Sequence, residues 1–217
     1  MTKQLRLQTG FPNLDTLLGG GLVRGSTLLL GGDPGVGKTT LAMQFAVAAE
    51  RQRAKSIFCS GEQSEGDLRA LLARVGGKTK LIELVADANV YAITGRGVLS
   101  PLVIFDTIQT AYIDDVASAV GTQSQIMAVA NYLTSFAKKE GVAVVLLTHM
   151  TKDGQLACPR AVEHLVDVVG RLDHVEVAEG MRPTVARALS VSKSRYAAPA
   201  PEALLTVAPD GSLRVRE

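Results

Sequence analysis

Eight consecutive residues, Gly32-Asp33-Pro34-Gly35-Val36-Gly37-Lys38-Thr39, fill every fixed position of the pattern G-x-x-x-x-G-K-[ST]. The glycines allow backbone N–H groups to turn inward around phosphate oxygens, and a helix beginning at Lys38 would add its positive N-terminal end. Lys38 can reach the β- and γ-phosphates, the Thr39 hydroxyl can ligate a divalent cation, and Thr40 closes the set of nucleotide contacts. This chemistry predicts ATP with Mg²⁺ as the ligand. Its context agrees, because an apolar strand, Ser26 to Leu30, precedes the loop and a helical run, Leu41 to Ala49, follows it.

Hydrolysis needs two further groups. Asp106 ends the apolar run Leu102-Val103-Ile104-Phe105, where a strand-end carboxylate can hold magnesium through its water shell. Glu62 follows a second strand in Cys59-Ser60-Gly61-Glu62-Gln63 and is the candidate to polarise the attacking water. Glu65 is its nearest rival, although a carboxylate in a first helical turn is also explained by the helix dipole. His149 ends the strand Val142 to Thr148, from which it could sense the γ-phosphate or serve as a structural imidazole. His164 reads equally as a packed helical histidine, and His174 carries no signal.

The elements that must position these residues follow from composition and pattern. The chain has 217 residues, 47% of them hydrophobic, with no Trp and only 4% aromatics, so its core is Leu, Val, Ala and Ile. That suits a mainly parallel sheet covered by helices on both faces, in one ATPase domain spanning 26–217 after a lead-in over 1–25. Helices are predicted over Phe11–Leu18, Lys38–Gln52, Glu65–Val75 (capped by Ser64 and stopped at Gly76), Gln123–Lys139 and Arg160–Val169. Ser56–Ser60, Asn89–Thr94, Leu102–Asp106 and Val142–Thr148 read as strands. Leu172–Val177, Thr184–Ser192, Ala203–Val207 and Ser212–Val215 read as an antiparallel extension, the last two joined by a hairpin turn at Ala208-Pro209-Asp210-Gly211. One link fits badly: Gly95 to Pro101 is too short for a parallel crossover, so either Asn89–Thr94 is not a parallel neighbour or a crossover helix is absent.

A net charge of +2 implies no strong polyanion attraction. Cys59 and Cys158 form no ligand-spaced pair, so a cysteine zinc site is not expected, and two free thiols suit the cytoplasm. No run of about 18 apolar residues is present, and no membrane association is expected.

Taken together, these residues resemble the RecA-like ATPases, and more closely the bacterial RadA/Sms DNA-repair family. The resemblance rests on Gly10-Phe11-Pro12-Asn13-Leu14-Asp15, Leu17 to Val23, Ser60-Gly61-Glu62-Gln63-Ser64, Val103 to Thr110, Gly121 to Gln125 and His149 to Gly154. It implies an ATP-driven ring, usually hexameric, acting in homologous recombination on single-stranded or branched DNA, with recombinase or replication proteins as further partners. It makes Glu62 the catalytic glutamate, Asp106 the magnesium aspartate, and His149 the coupler of nucleotide state to a DNA-binding loop. The family signature Lys-Asn-Arg-Phe-Gly appears as Lys193-Ser194-Arg195-Tyr196-Ala197, matching at Lys193 and Arg195. By analogy Lys193 would reach a neighbouring subunit's γ-phosphate and Arg195 would couple that contact to DNA. The chain begins almost at the ATPase core, where the family has a four-cysteine zinc motif, and ends near the start of its protease-like domain.

Two loops are the candidate DNA contacts, Tyr112 to Gln125 and Met150 to Arg160. Lys152 and Arg160 supply charge to the second, whereas Asp114 and Asp115 in the first oppose phosphates. A clock-type regulatory ATPase that phosphorylates itself, and an ATP-gated scaffold with little hydrolysis, are the competing functions.

Overall fold

A computed structural model describes residues 4–78, 80–97, 99–179 and 182–216. Its centre is β3 (Thr27–Gly32), buried along its whole length. Successive side chains of a strand face opposite ways, so Leu28 and Leu30 enter one apolar core while Leu29 enters the other. Both faces therefore need covering. The helix α2 (Lys38–Arg51) and α3 (Glu65–Arg74) cover the first; α4 (Val90–Gly97) and α5 (Gln123–Glu140) cover the second.

Parallel pairing places β7 (Ala143–Thr148), β6 (Leu102–Asp106), β4 (Ser56–Ser60) and β5 (Ile82–Val85) in that order on one side of β3. On its other side lies β8 (Val168–Glu179), also parallel to β3. The antiparallel extension follows as β9 (Arg182–Ser194), β10 (Ala203–Val207) and β11 (Leu213–Val215). Among the described residues the central sheet thus has nine strands, with a parallel body and an antiparallel edge. The C-terminal ends of β3, β4, β6 and β7 share one rim, where ligands bind in open α/β sheets.

The chain before β3 packs into the same core. A small sheet of β1 (Arg6–Leu7) and β2 (Leu22–Val23) flanks α1 (Pro12–Leu17). Leu7, Phe11, Leu14 and Leu22 join the α2-side core, with Phe11 edge-on to Phe45 at 6.4 Å. Asn13 Nδ2 donates to Leu204 O at 2.9 Å, tying this segment to β10. No helix among the described residues is long and apolar enough to cross a membrane.

Two expectations are corrected. Asn89–Thr94 is not a strand: Val90–Gly97 is α4, and the unpredicted β5 is the parallel neighbour of β4. The crossover before Leu102 is therefore neither missing nor short, since α4 makes it between β5 and β6. The β-branched residues Val90, Ile93 and Thr94 read as strand, but all three are buried on one helical face, and packing overrode propensity. The helix from Arg160 also stops earlier than expected, at Leu165, as α6 (Arg160–Leu165). Asp167 ends it: its carboxylate accepts from both the N–H and the hydroxyl of Thr27 at 3.0 Å, pulling the chain into register beside β3.

Candidate active site

The phosphate loop runs from the buried end of β3 into α2. Gly35 and Gly37 take φ of 77° and 111°, the left-handed region that a side chain would strain. A Cβ on Gly32 would sit 2.5 Å from Leu172 O, so this glycine lets β8 close on the loop. Lys38 is buried, and its ammonium donates to Gly32 O at 2.7 Å and Asp33 O at 3.0 Å. Burial holds its pKa below the ordinary lysine value, while Asp106, Glu62 and Asp33 act in the opposite direction.

Those carboxylates arrive from the neighbouring strand ends. Asp106 is buried, and burial pushes its carboxyl up to about 6 despite a hydrogen bond from Thr39 and the nearby Lys38. Glu62 follows β4, whose Ser60 pairs with Asp106 of β6. Its Oε1 accepts from Thr107 Oγ1 at 2.9 Å and lies 3.2 Å from His149 Nε2. Lys38, Thr39, Glu62, Asp106 and His149, separated by up to 111 positions, are thus gathered on one rim. The arrangement places a cation, a hydroxyl, a buried carboxylate and a half-exposed carboxylate beside the glycine-containing loop. Such a set has the chemistry to hold a polyphosphate, with the Glu62 carboxylate beside it as a group able to accept a proton.

Glu65, the rival, is instead turned along its own helix to Arg69, outside this cluster. Ser64 caps that helix, as the sequence predicted, and the structure adds a reciprocal box with Asp67. Beside the loop a cavity of about 320 Å³ is lined by Thr39, Thr40, Gln63, Asp67, Leu71 and Arg74. Among the described residues, Gln63 Oε1 is buried without a hydrogen-bond partner.

Reading the sequence missed three contributors. Thr107 holds Glu62, and only its adjacency to Asp106 could have signalled it. Gly61 has no side chain because a Cβ there would lie 2.6 Å from Thr110 Cβ. We expect Gly61→Ala to push Glu62 off the rim and lower ATP turnover at least about tenfold while the protein still folds, checked by phosphate release alongside a melting curve. Gln109 is the third. It donates to Thr148 Oγ1 at 2.7 Å and to Ala157 O at 2.8 Å, spanning from the Asp106 strand to the loop beyond His149.

That loop, Met150 to Pro159, carries Lys152 on an exposed turn, and Arg160 opens α6. Its base is closed by Ala157 N–H donating to His149 O at 2.8 Å and by a bridge between Met150 and Leu156. The Leu156 side chain sits over Gly31, where a Cβ would come within 2.0 Å of Leu156 Cδ2. The loop is therefore seated on the strand that feeds the phosphate loop. The other candidate loop is pinned: buried Gln125 bonds Ile113, Val116 and Ser118, while Asp114 and Asp115 accept from Asn89 and Tyr91.

Lys193 and Arg195 lie away from this rim. Lys193 pairs with Val169, near the start of β8, and its ammonium donates to Glu163 O, His164 O and Val166 O at 2.6–2.8 Å. It caps the C-terminal end of α6, where a cation is favoured. Arg195 Nε is 3.6 Å from the buried Asp167 carboxylate. Lys193, Arg160 and Arg171 line a groove of about 560 Å³ beside the Met150 loop.

Residues 7–95 match the family model of the KaiC ATPase. The chain is 44% identical over 171 residues to the DNA repair protein RadA of Brucella abortus, covering 76% of this chain and 37% of that protein. It is 39% identical over 194 residues to RadA of Mycobacterium tuberculosis, covering 88% of this chain and 39% of that one. Escherichia coli RadA is 38% identical over 170 residues, 77% of this chain and 37% of the other. The chain thus spans well under half the length of these relatives. A KaiC-like protein from the hyperthermophilic archaeon Pyrococcus horikoshii shares the fold, with a TM-score of 0.75 and 23% identity over 99% of this chain and 100% of that one.

Proposed function

We propose, from the premise that this chain belongs to the RadA family through its RecA-like ATPase region, that its ATP hydrolysis powers DNA repair work on single-stranded or branched DNA. The observation that carries this reading is the path from Glu62 through His149 into the loop that carries Lys152 and is seated on Gly31. A polymer held by that loop would act on the residues that address the γ-phosphate.

In this reading the loop N–H groups and Lys38 hold the β- and γ-phosphates, and Thr39 and Asp106 would hold Mg²⁺. The fit is chemical: the Thr39 hydroxyl and the Asp106 carboxylate stand close enough to influence each other and are both oxygen donors, the kind a hard cation takes. When bound, the cation would neutralise charge developing on the phosphates. Glu62, positioned by Thr107, orients the attacking water and accepts its proton. The cavity at Thr40, Gln63 and Arg74 would take the nucleoside half.

Lys152 and Arg160 would follow a phosphate backbone without reading bases. Single-stranded DNA is expected to raise ATP turnover, and Lys152→Glu with Arg160→Glu to abolish that rise while basal turnover persists. Each cation removed should flatten the salt dependence of binding by about 0.7 in log–log slope. Turnover that does not respond to DNA across a full titration overturns the reading. Assembly into a homo-oligomeric ring belongs to the same proposal. Lys193 could serve a neighbour's nucleotide in such a ring only by leaving the three carbonyls it now caps.

A second reading, a self-phosphorylating regulatory ATPase, is favoured by the KaiC match over residues 7–95. Radiolabel from γ-labelled ATP retained on the denatured protein would select it.

A further inference from the structure

The geometry points to Arg187 as a positioning residue for ATP hydrolysis, one that braces the phosphate loop from within the same chain. Arg187 lies on β9, two strands from the loop and about 150 positions after it in sequence. It pairs with His174 of β8, two residues beyond Leu172, which itself faces Gly32. It shares a face with Leu189, a member of the α2-side core. Register and face together bring its guanidinium against the loop, where Nε donates to Val36 O at 2.8 Å and Nη1 to Ala186 O at 3.1 Å.

The consequence follows from peptide geometry. In a trans peptide the C=O and the next N–H point in opposite directions. Pinning Val36 O outward, toward β9, therefore aims Gly37 N–H inward, toward the space the phosphates would fill. The peptide needs that restraint, because Gly37 at φ 111° has no side chain to limit rotation and Gly35 at φ 77° loosens the residue before Val36. The arginine is also poorly placed for a merely structural ion pair. Burial holds its pKa below the ordinary value, and among the described residues no carboxylate offsets that effect. A half-buried cation held by two carbonyls also adds positive potential beside a polyphosphate site.

The test is steady-state ATP hydrolysis by Arg187→Ala and Arg187→Lys, with melting curves of the nucleotide-free proteins. Losing one charge-assisted hydrogen bond to the loop is expected to raise KM and the Kd for ADP about tenfold. The kcat at saturating ATP should stay within about twofold, because Glu62, Lys38 and Asp106 are untouched. Arg187→Lys keeps the stem and one donor, and should recover most of the affinity. Should the alanine variant fail to fold, Arg187→Met, which keeps an apolar stem and loses every donor, carries the test, and unchanged ADP affinity there overturns the assignment. An unchanged KM in Arg187→Ala overturns the assignment. So does a lower melting temperature with unchanged ADP affinity, which would make Arg187 a sheet-packing residue. A lysine variant that folds and melts like wild type yet binds ADP as poorly as the alanine variant would equally reject the brace.

Discussion

Replacing Glu62 by Gln is expected to leave ATP bound and reduce turnover at least about a hundredfold, the usual worth of a positioned general base. The amide keeps the size of the carboxylate, and its oxygen can still accept from Thr107 Oγ1. The strand ends should therefore stay where they are. What is lost is the ability to accept a proton from water. Lys38→Ala should differ in kind, because its ammonium lies within the loop itself and its loss removes binding as well as turnover. The two variants are separated by measuring nucleotide affinity and phosphate release on the same preparations. A Glu62→Gln protein that retains turnover within about threefold of wild type would remove Glu62 from the reaction. Glu65 would be a poor replacement, since Arg69 already holds it on the outer face of α3.

The parts of this site that the sequence made legible are those where one segment carries the whole signal. The phosphate loop is eight contiguous residues. The strands ending at Ser60, Asp106 and Thr148 are apolar because both their faces are buried. The α4 segment failed for a local reason: Val90, Ile93 and Thr94 have strand propensity, and their helical burial depends on α5, more than 25 residues later. β5 escaped notice because only Ile82 of its four residues is buried, as befits a short edge strand. Thr107 and Arg187 were invisible because their roles arise from strand pairing. Nothing near Arg187 in sequence reveals that β8 and β9 will carry it back to Val36.

Asp106→Asn should lose magnesium-dependent hydrolysis yet stabilise the protein at neutral pH in metal-free, nucleotide-free buffer. Burial raises this carboxyl from 3.8 to about 6, so the folded state holds its proton where the unfolded chain has released it. The contribution of the protonated acid to stability is complete below about pH 3.8. It is lost as pH rises through about 6, because ionising Asp106 then works against folding. A shift of this size corresponds to about 2–3 kcal/mol above pH 6. The neutral amide carries no such penalty. Denaturant unfolding of both proteins should therefore give curves that converge near pH 4 and separate by pH 7, with the variant the more stable. Parallel pH profiles would show that Asp106 titrates normally in the folded protein. Stability gained where hydrolysis is lost would mark this carboxylate as kept for its chemistry alone.

Leu156 resting on Gly31 has a thermodynamic consequence. Any ligand that shifts the Met150 loop must also disturb the strand feeding the phosphate loop, and equilibrium coupling between two sites runs equally in both directions. If a nucleic-acid strand on that loop tightens nucleotide binding by some factor, nucleotide must tighten the grip on the strand by the same factor. Truncating Leu156 to Ala would then reduce both effects together, so one number measured from either end would report how firmly this leucine joins them.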